Sequence, residues 1–301
     1  MKNILVILGP TATGKSKLAV RIANKYEGEV ISADSRQVYT GLDIGTGKIT
    51  KSEMRGIPHH MLDVVSPKKV FSVADWKKQA EKIIAQIISR GKLPIICGGT
   101  GFYIQSIVDN IVLPEVPPNF KLRKKLQNKT ATELFKILQK LDPERAKTIE
   151  PKNPVRLIRA IEIAKTLGKV PPMSRTVLDI KNDFEFLQIG LKLPDHELKR
   201  KIRIRLFARI REGMVEEAKK LHRHGLSWKR MRELGLEYRY LSYLIQKKIT
   251  KEEFVQKLQT EIWRYAKRQM TWFKRDKRIK WFSPKETAKI DKEVAKFLKI
   301  W

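Results

Sequence analysis

Gly9-Pro10-Thr11-Ala12-Thr13-Gly14-Lys15-Ser16 follows the apolar run Ile4 to Leu8 and precedes a helical pattern over Lys17 to Tyr26. The octet fits G-x-x-x-x-G-K-[ST], and it stands between a strand buried on both faces and a helix, as its chemistry requires. The glycines let backbone amides curl round phosphate oxygens, and the helix turns its positive end toward them. Lys15 is placed to neutralise a terminal phosphate, and Ser16 offers a hydroxyl to Mg2+. The N-terminal apolar run superficially matches a secretory signal. It leads straight into the phosphate loop without a small-residue cleavage site, so it reads as a first strand.

Working outward, Glu29 to Ser32 forms a second strand that leads to Asp34. Val73 to Arg90 repeats apolar residues at helical spacing through Trp76, Ala80, Ile83, Ile84 and Ile87. Leu93 to Cys97 is a third buried strand, stopped by Gly98-Gly99. Strand, helix, strand, helix, strand predicts an α/β fold, a parallel sheet flanked by helices. The segment Leu113 to Pro118 interrupts that alternation, and only helical patterns follow as far as Phe184. A strand is expected again at Phe186 to Leu193, and a short one near Ile279 to Phe282. The expected organisation is a phosphate-loop core over 1–114 and 185–301, interrupted by an all-helical insertion over 115–184.

Composition narrows the partner. The 301 residues carry 64 Lys plus Arg against 32 Asp plus Glu, a net charge of +32. Such an excess repels itself and calls for a large polyanion. Lysines merely solvated over the whole surface are the alternative. The single cysteine, Cys97, excludes an internal disulfide and suits a reducing, cytoplasmic compartment. Its apolar surroundings predict a buried, inert thiol. No apolar stretch reaches the ~20 residues needed to span a bilayer, so no membrane partner is expected.

The loop alone leaves open whose phosphates it holds. A nucleoside triphosphatase usually ends a second apolar strand in a carboxylate that helps to place Mg2+. Here Leu93 to Cys97 ends in glycines, and the carboxylate stands at Asp34 instead. That arrangement favours a transferase or a small-molecule kinase, with both strand ends opening on one crevice. Asp34 is equally suited to capping the turn from Ser35.

Beyond the loop, Asp34-Ser35-Arg36-Gln37-Val38-Tyr39, Asp43 to Lys48, Pro58-His59-His60 and Gly98 to Tyr103 keep a fixed order. Asn153 to Ala160 and Ala266 to Phe273 continue it. With these blocks the chain resembles the bacterial tRNA dimethylallyltransferases, or tRNA isopentenyltransferases, over nearly its whole length. Leu234-Gly235-Leu236-Glu237 departs from the family's more frequent I-G-Y, and the cysteines of a zinc-finger tail found in eukaryotic relatives are missing.

The resemblance implies transfer of a dimethylallyl group from its diphosphate to the exocyclic amine of an adenosine beside the tRNA anticodon. Dimethylallyl diphosphate then occupies Gly9 to Ser16 with Mg2+. Asp34 takes the amine proton, because such an amine is a poor nucleophile and losing its proton during attack helps. Thr100 stands near the amine and the leaving group, and Arg205 steadies the departing diphosphate. Asp34 to Gln37, Thr100, Arg123 and Val155 to Arg159 (Val155, Arg156, Leu157, Ile158, Arg159) are expected to touch the anticodon arm. A monomer is expected. The competing functions are an ATP-dependent kinase of a small molecule or nucleoside, and an RNA-binding regulatory NTPase.

Two basic clusters bear on the RNA. Lys199, Arg200, Lys201, Arg203, Arg205, Arg209 and Arg211 form a run without an acid, which reads as a solvated helix face or an RNA surface. On a helix from Glu261, Arg264, Lys267, Arg268 and Arg275 share one stripe, opposite Ile262, Ala266, Met270 and Phe273. Trp263, Tyr265, Trp272, Trp281 and Phe282 lie among these cations and offer faces on which unpaired bases can stack, although core packing is their usual role. The target adenosine has to leave its stack to react. His59 and His60 lack companions for a metal site and read as structural or substrate-adjacent, while His222 and His224 belong to a solvated basic stretch.

Overall fold

The computed structural model describes residues 2–171 and 184–299. Six strands form one parallel sheet: β1 (Lys2–Leu8), β2 (Gly28–Ala33), β3 (His59–His60), β4 (Leu93–Gly98), β5 (Phe184–Leu191) and β6 (Lys280–Phe282). Their order across the sheet is β3-β2-β4-β1-β5-β6. β1 is central, and its continuous apolar sequence has a direct cause. Ile4, Val6 and Leu8 point into one core, Leu5 and Ile7 into the other. The first core is closed by the helices Val73–Ser89, Gly101–Val108, Asp195–Arg211 and Lys251–Phe273. The second is closed by Lys15–Lys25 and Thr287–Leu298. A fully buried Leu or Ile contributes roughly 1.5–3 kcal/mol, so both faces bind their helices firmly.

Local sequence explains where the helices begin. Ser72 accepts from the Asp75 amide while the Asp75 carboxylate returns to Ser72, a reciprocal cap. Trp76, Ala80, Ile84 and Ile87 are buried below it, and the Trp76 indole donates to the Ser32 carbonyl at 3.0 Å, fixing the helix to β2. Thr250 and Glu253 make the same cap, which starts the last long helix at Lys251 rather than at Glu261. The edge strand β3 escaped the sequence because two residues carry no periodicity. Buried Glu29 holds it through His60 at 2.6 Å and also pairs with Arg90 at 2.9 Å.

The chain divides into two compact units, Met1–Val108 with Lys181–Trp301, and Asp109–Ile180. In the second, the described helices are Phe120–Leu126, Ala131–Leu141, Pro143–Thr148 and Pro154–Leu167. They close over Leu126, Leu134, Leu138, Leu157 and Ile161. The stretch 172–183 of the expected insertion lies outside the described residues. No described helix is long and apolar enough to cross a membrane.

Candidate active site

Three strand ends meet at one level of the sheet. Leu8 of β1 and Ala33 of β2 are both in register with Gly98 of β4, so the segments that leave them are neighbours. From Leu8 comes the phosphate loop. Gly9 turns at φ 139°, and a Cβ there would lie 2.4 Å from the Leu191 carbonyl oxygen, which excludes any side chain. Thr13 and Lys15 both donate to the Pro10 carbonyl, at 2.8 and 2.7 Å, and Ala12 adopts φ 63°. The helix Lys15–Lys25 opens without a side-chain cap and without an acid in its first turn. Its first amides are therefore open to an anion.

Lys15 is half-buried as a whole, but its ammonium end is walled in, and burial pushes its pKa down to about 8. Ser16 beside it is exposed. Cys97 beneath the loop is buried, and its thiol is pushed up to about 12 by that burial, which leaves it inert.

Asp34 leaves β2 and caps the next turn. Its Oδ1 accepts the Arg36 amide at 2.8 Å and the Gln37 amide at 3.4 Å. Oδ2 makes no hydrogen bond among the described residues, so one oxygen orients the carboxylate while the other stays open. Thr100 ties the two strand ends together, donating its amide to Ala33 at 3.1 Å and accepting the Ser35 amide on its hydroxyl at 3.0 Å. Gln37 is held by Ser32 and by the Gly47 carbonyl.

Arg205 reaches in from the helix Asp195–Arg211. It donates to the Gly47 carbonyl at 2.8 Å and lies 3.5 Å from the Thr11 hydroxyl. Burial lowers its pKa from the ordinary arginine value, and neighbouring Arg209 adds to that. The basic run on this helix is thus divided: Arg205 and Arg209 turn inward, while Arg200, Arg203 and Arg211 remain exposed.

Thr11, Lys15, Ser16, Asp34 to Gln37, Gly98, Gly99 and Arg205 line a single cavity of about 440 Å3. Tyr265, Arg268 and Gln269 of the helix Lys251–Phe273 complete its wall, with Glu233, Glu237 and Arg239. A second cavity of about 710 Å3 shares Lys15, Ser16 and Arg205 with the first. Lys17, Arg21, Arg55 and Lys201 bring further positive charge to its lining.

The remaining expected contacts separate. Of the stripe from Arg264, only Arg268 enters the crevice, lying over the Tyr265 ring. Arg264 pairs with Glu261 at 2.6 Å, and Lys267 covers Trp263. Lys199 covers the same ring, Trp272 lies under Arg275 beside Phe102, and the half-buried Trp281 and Phe282 pack against the first and second cores. Tyr265 is the aromatic that faces the crevice. His222 stacks on Trp228 at 3.6 Å instead of joining a solvated face.

In the second unit, Val155 and Arg156 are exposed, whereas Ile158 is partly buried. Leu157 is fully buried in that unit's core, so its side chain does not reach RNA. Arg123 and Arg159 both bind the buried Glu162, whose single negative charge offsets one of their two positive charges. Sequence reasoning passed over Gln269, whose oxygen accepts the Thr11 amide at 3.0 Å and whose nitrogen donates to Gly99 at 2.9 Å. A buried glutamine inside a basic helix was the available signal, since such a group needs partners.

The IPP transferase family model matches residues 37–276. The chain is 43% identical over 274 residues to tRNA dimethylallyltransferase 2 of Treponema denticola, covering 91% of this chain and 92% of that protein. It is 41% identical to the tRNA dimethylallyltransferase of Pelotomaculum thermopropionicum, over 92% and 90% of the two chains. Among solved structures, the tRNA isopentenylpyrophosphate transferase of Bacillus halodurans superimposes with TM-score 0.74 at 34% identity, covering 99% of this chain and 97% of the other. A eukaryotic dimethylallyltransferase captured acting on tRNA gives TM-score 0.77 at 28% identity, over 90% of this chain and 70% of the other.

Proposed function

The chain belongs to the IPP transferase family, and on that footing we propose that it transfers a dimethylallyl group from dimethylallyl diphosphate to tRNA. The acceptor is the exocyclic amine of the adenosine beside the anticodon. The observation that carries this reading is the meeting, in one cavity, of an uncapped helix start, two buried cations and a carboxylate with one open oxygen. Family membership sets aside the kinase and the regulatory NTPase.

Each residue then has a task. Asp34, oriented through Oδ1, takes the amine proton on Oδ2 as the nitrogen attacks the allylic carbon. The carbon–oxygen bond breaks, and its electron pair leaves with the diphosphate. Negative charge grows where the first amides of Lys15–Lys25, the Lys15 ammonium and the Arg205 guanidinium converge; one such donor is worth roughly 3 kcal/mol to the transition state. Thr100 holds the turn that carries Asp34 against β4. Arg36 and Arg268, with the face of Tyr265, line the side from which a flipped base enters. The second cavity gives an anionic donor its own cationic approach to Lys15 and Ser16.

Mg2+ fits this donor set. Among the described residues no group of three or more His, Cys, Asp or Glu gathers to cage an ion, whereas Ser16 presents a hard hydroxyl oxygen at the helix start. Mg2+ commonly takes a few protein oxygens and completes its shell with phosphate and water. When bound it would neutralise diphosphate charge.

Incubation of the pure protein with tRNA, Mg2+ and radiolabelled dimethylallyl diphosphate tests the reading. Label should appear in the RNA. Label-free RNA accompanied by ATP turnover would refute it.

A further inference from the structure

The loop Asp43 to Lys48 lies between the half-buried Glu217 carboxylate and two arginines. On one side, Glu217 of the helix Met214–Arg223 accepts three successive backbone amides. Its Oε2 takes Asp43 at 3.0 Å and Ile44 at 2.7 Å, and its Oε1 takes Gly45 at 2.9 Å. The Tyr238 hydroxyl is a fourth donor at 2.6 Å, and burial, reinforced by Glu217, raises its pKa so that it keeps its proton. On the other side, the Gly45 carbonyl accepts Arg209 at 2.7 Å and the Gly47 carbonyl accepts Arg205 at 2.8 Å.

The directions are linked through the backbone. The Ile44 and Gly45 amides held by Glu217 share their peptide planes with the Asp43 and Ile44 carbonyls, which accept the Lys48 amide at 2.9 Å and the Gly47 amide at 3.0 Å. The Lys48 amide shares its plane with the Gly47 carbonyl, so that carbonyl faces the other way, toward Arg205. Gly47 turns at φ 60°, and a Cβ there would fall 2.3 Å from Arg205. Arg205 itself makes no ion pair among the described residues. A carboxylate in contact would fix it equally well but would cancel the charge it presents to the cavity. The Gly47 carbonyl fixes it and leaves the charge intact, while the carboxylates that act on it, Glu237, Asp34 and Glu53, do so without an ion-pair contact.

We infer that Glu217 is a positioning residue for the transfer reaction: through the amides of Asp43 to Gly45 it fixes the loop whose Gly47 carbonyl aims Arg205 at the diphosphate. The inference rests on the reading of Arg205 given above. It assigns Glu217 no contact with substrate.

The test is a double-mutant cycle on the full chain with Glu217→Gln, Arg205→Ala and the pair. Transfer rate, donor KM, tRNA affinity and thermal melting are measured for each. Glu217→Gln keeps the shape but replaces an accepting oxygen with a donor. Its kcat should fall about tenfold and its donor KM should rise, with tRNA affinity held within about twofold. In the Arg205→Ala background the same change should cost less than about twofold, because nothing is left to aim. Tyr238→Phe, which removes one donor and keeps the carboxylate, should lose about threefold and show the same dependence on Arg205. It carries the cycle if Glu217→Gln melts near the assay temperature. Equal losses with and without Arg205, or tRNA affinity falling in step with rate, overturn the inference. Arg205→Ala with undiminished transfer overturns the Arg205 reading and this inference together, whereas additive losses beside a damaging Arg205→Ala overturn this inference alone.

Discussion

The Gln269 side-chain oxygen accepts the Thr11 amide hydrogen at 3.0 Å. The same side chain donates to the Gly99 carbonyl at 2.9 Å, so one buried amide sets the spacing between the phosphate loop and the β4 turn. Gln269→Ala leaves a donor and an acceptor unpaired in a buried place, at a cost of about 1–3 kcal/mol each at most. Melting should fall by several degrees, and transfer should fall more than tRNA affinity does. Gln269→Glu should be worse than its isosteric shape suggests, since a carboxylate cannot donate to Gly99. Equal activity of Gln269→Glu and the parent enzyme would show that this spacing does not matter.

Lys15 gives a pH dependence. Burial holds its pKa near 8, so the free enzyme carries this charge below about pH 8 and loses it above. Diphosphate binding favours the charged form, and above pH 8 it must therefore take up a proton. The value of kcat/KM for the donor should fall about tenfold per pH unit beyond that point. Lys15→Arg, which stays charged, should move the descending limb to higher pH even if its overall rate is poor. A flat profile from pH 7 to about 9.5 would contradict the assignment.

Glu162 governs the second unit's stability. Burial alone would raise its pKa, but hydrogen bonds from Arg123, Arg159 and the Asn119 amide hold it down at about 2. The folded value lies below the unfolded one of 4.5, so this stability is complete above pH 4.5 and is lost as pH falls toward 2. Glu162→Ala should destabilise the unit by about 3 kcal/mol at neutral pH, the lower end for a broken buried pair because both arginines are partly exposed. Hydrogen exchange of amides between Asn119 and Leu167 reads this directly. Unchanged protection there would show the pair to be dispensable.

Arg268 should separate RNA affinity from chemistry. Its guanidinium faces the crevice over Tyr265, whereas Arg264 is spent on Glu261. Arg268→Ala should weaken tRNA binding and reduce the slope of log affinity against log salt by about one charge, while Arg264→Ala should change both much less. The reverse order in titrations at several salt concentrations would refute this division of the helix.

The sequence made the centre of the fold legible and left its periphery obscure. β1 and β4 are buried on both faces, so unbroken apolar runs announced them, β2 showed only Val30-Ile31 between Glu29 and Ser32, and the phosphate loop marked the end at which a ligand sits. β3 was invisible because two residues carry no periodicity, and it is held by pairing with β2 and by the reach of Glu29 to His60. The stripe of cations on Lys251–Phe273 was legible as a stripe. Which members are free was not, because pairing with Glu261 and packing on Trp263 depend on rotamers and on neighbouring helices. Leu157 shows the same limit: a block of eight residues marks a functional helix, yet the helix must also bury one face in its own core.

The most direct test is Asp34→Asn, which keeps the shape of the side chain and an oxygen able to cap Arg36 but removes the charge that accepts a proton. Single-turnover transfer of radiolabelled dimethylallyl to tRNA should fall by about 100-fold or more, with tRNA affinity within about twofold of the parent enzyme. Transfer that survives, or affinity that falls as far as the rate, would show that Asp34 only caps its turn and that the proton leaves the amine by another route.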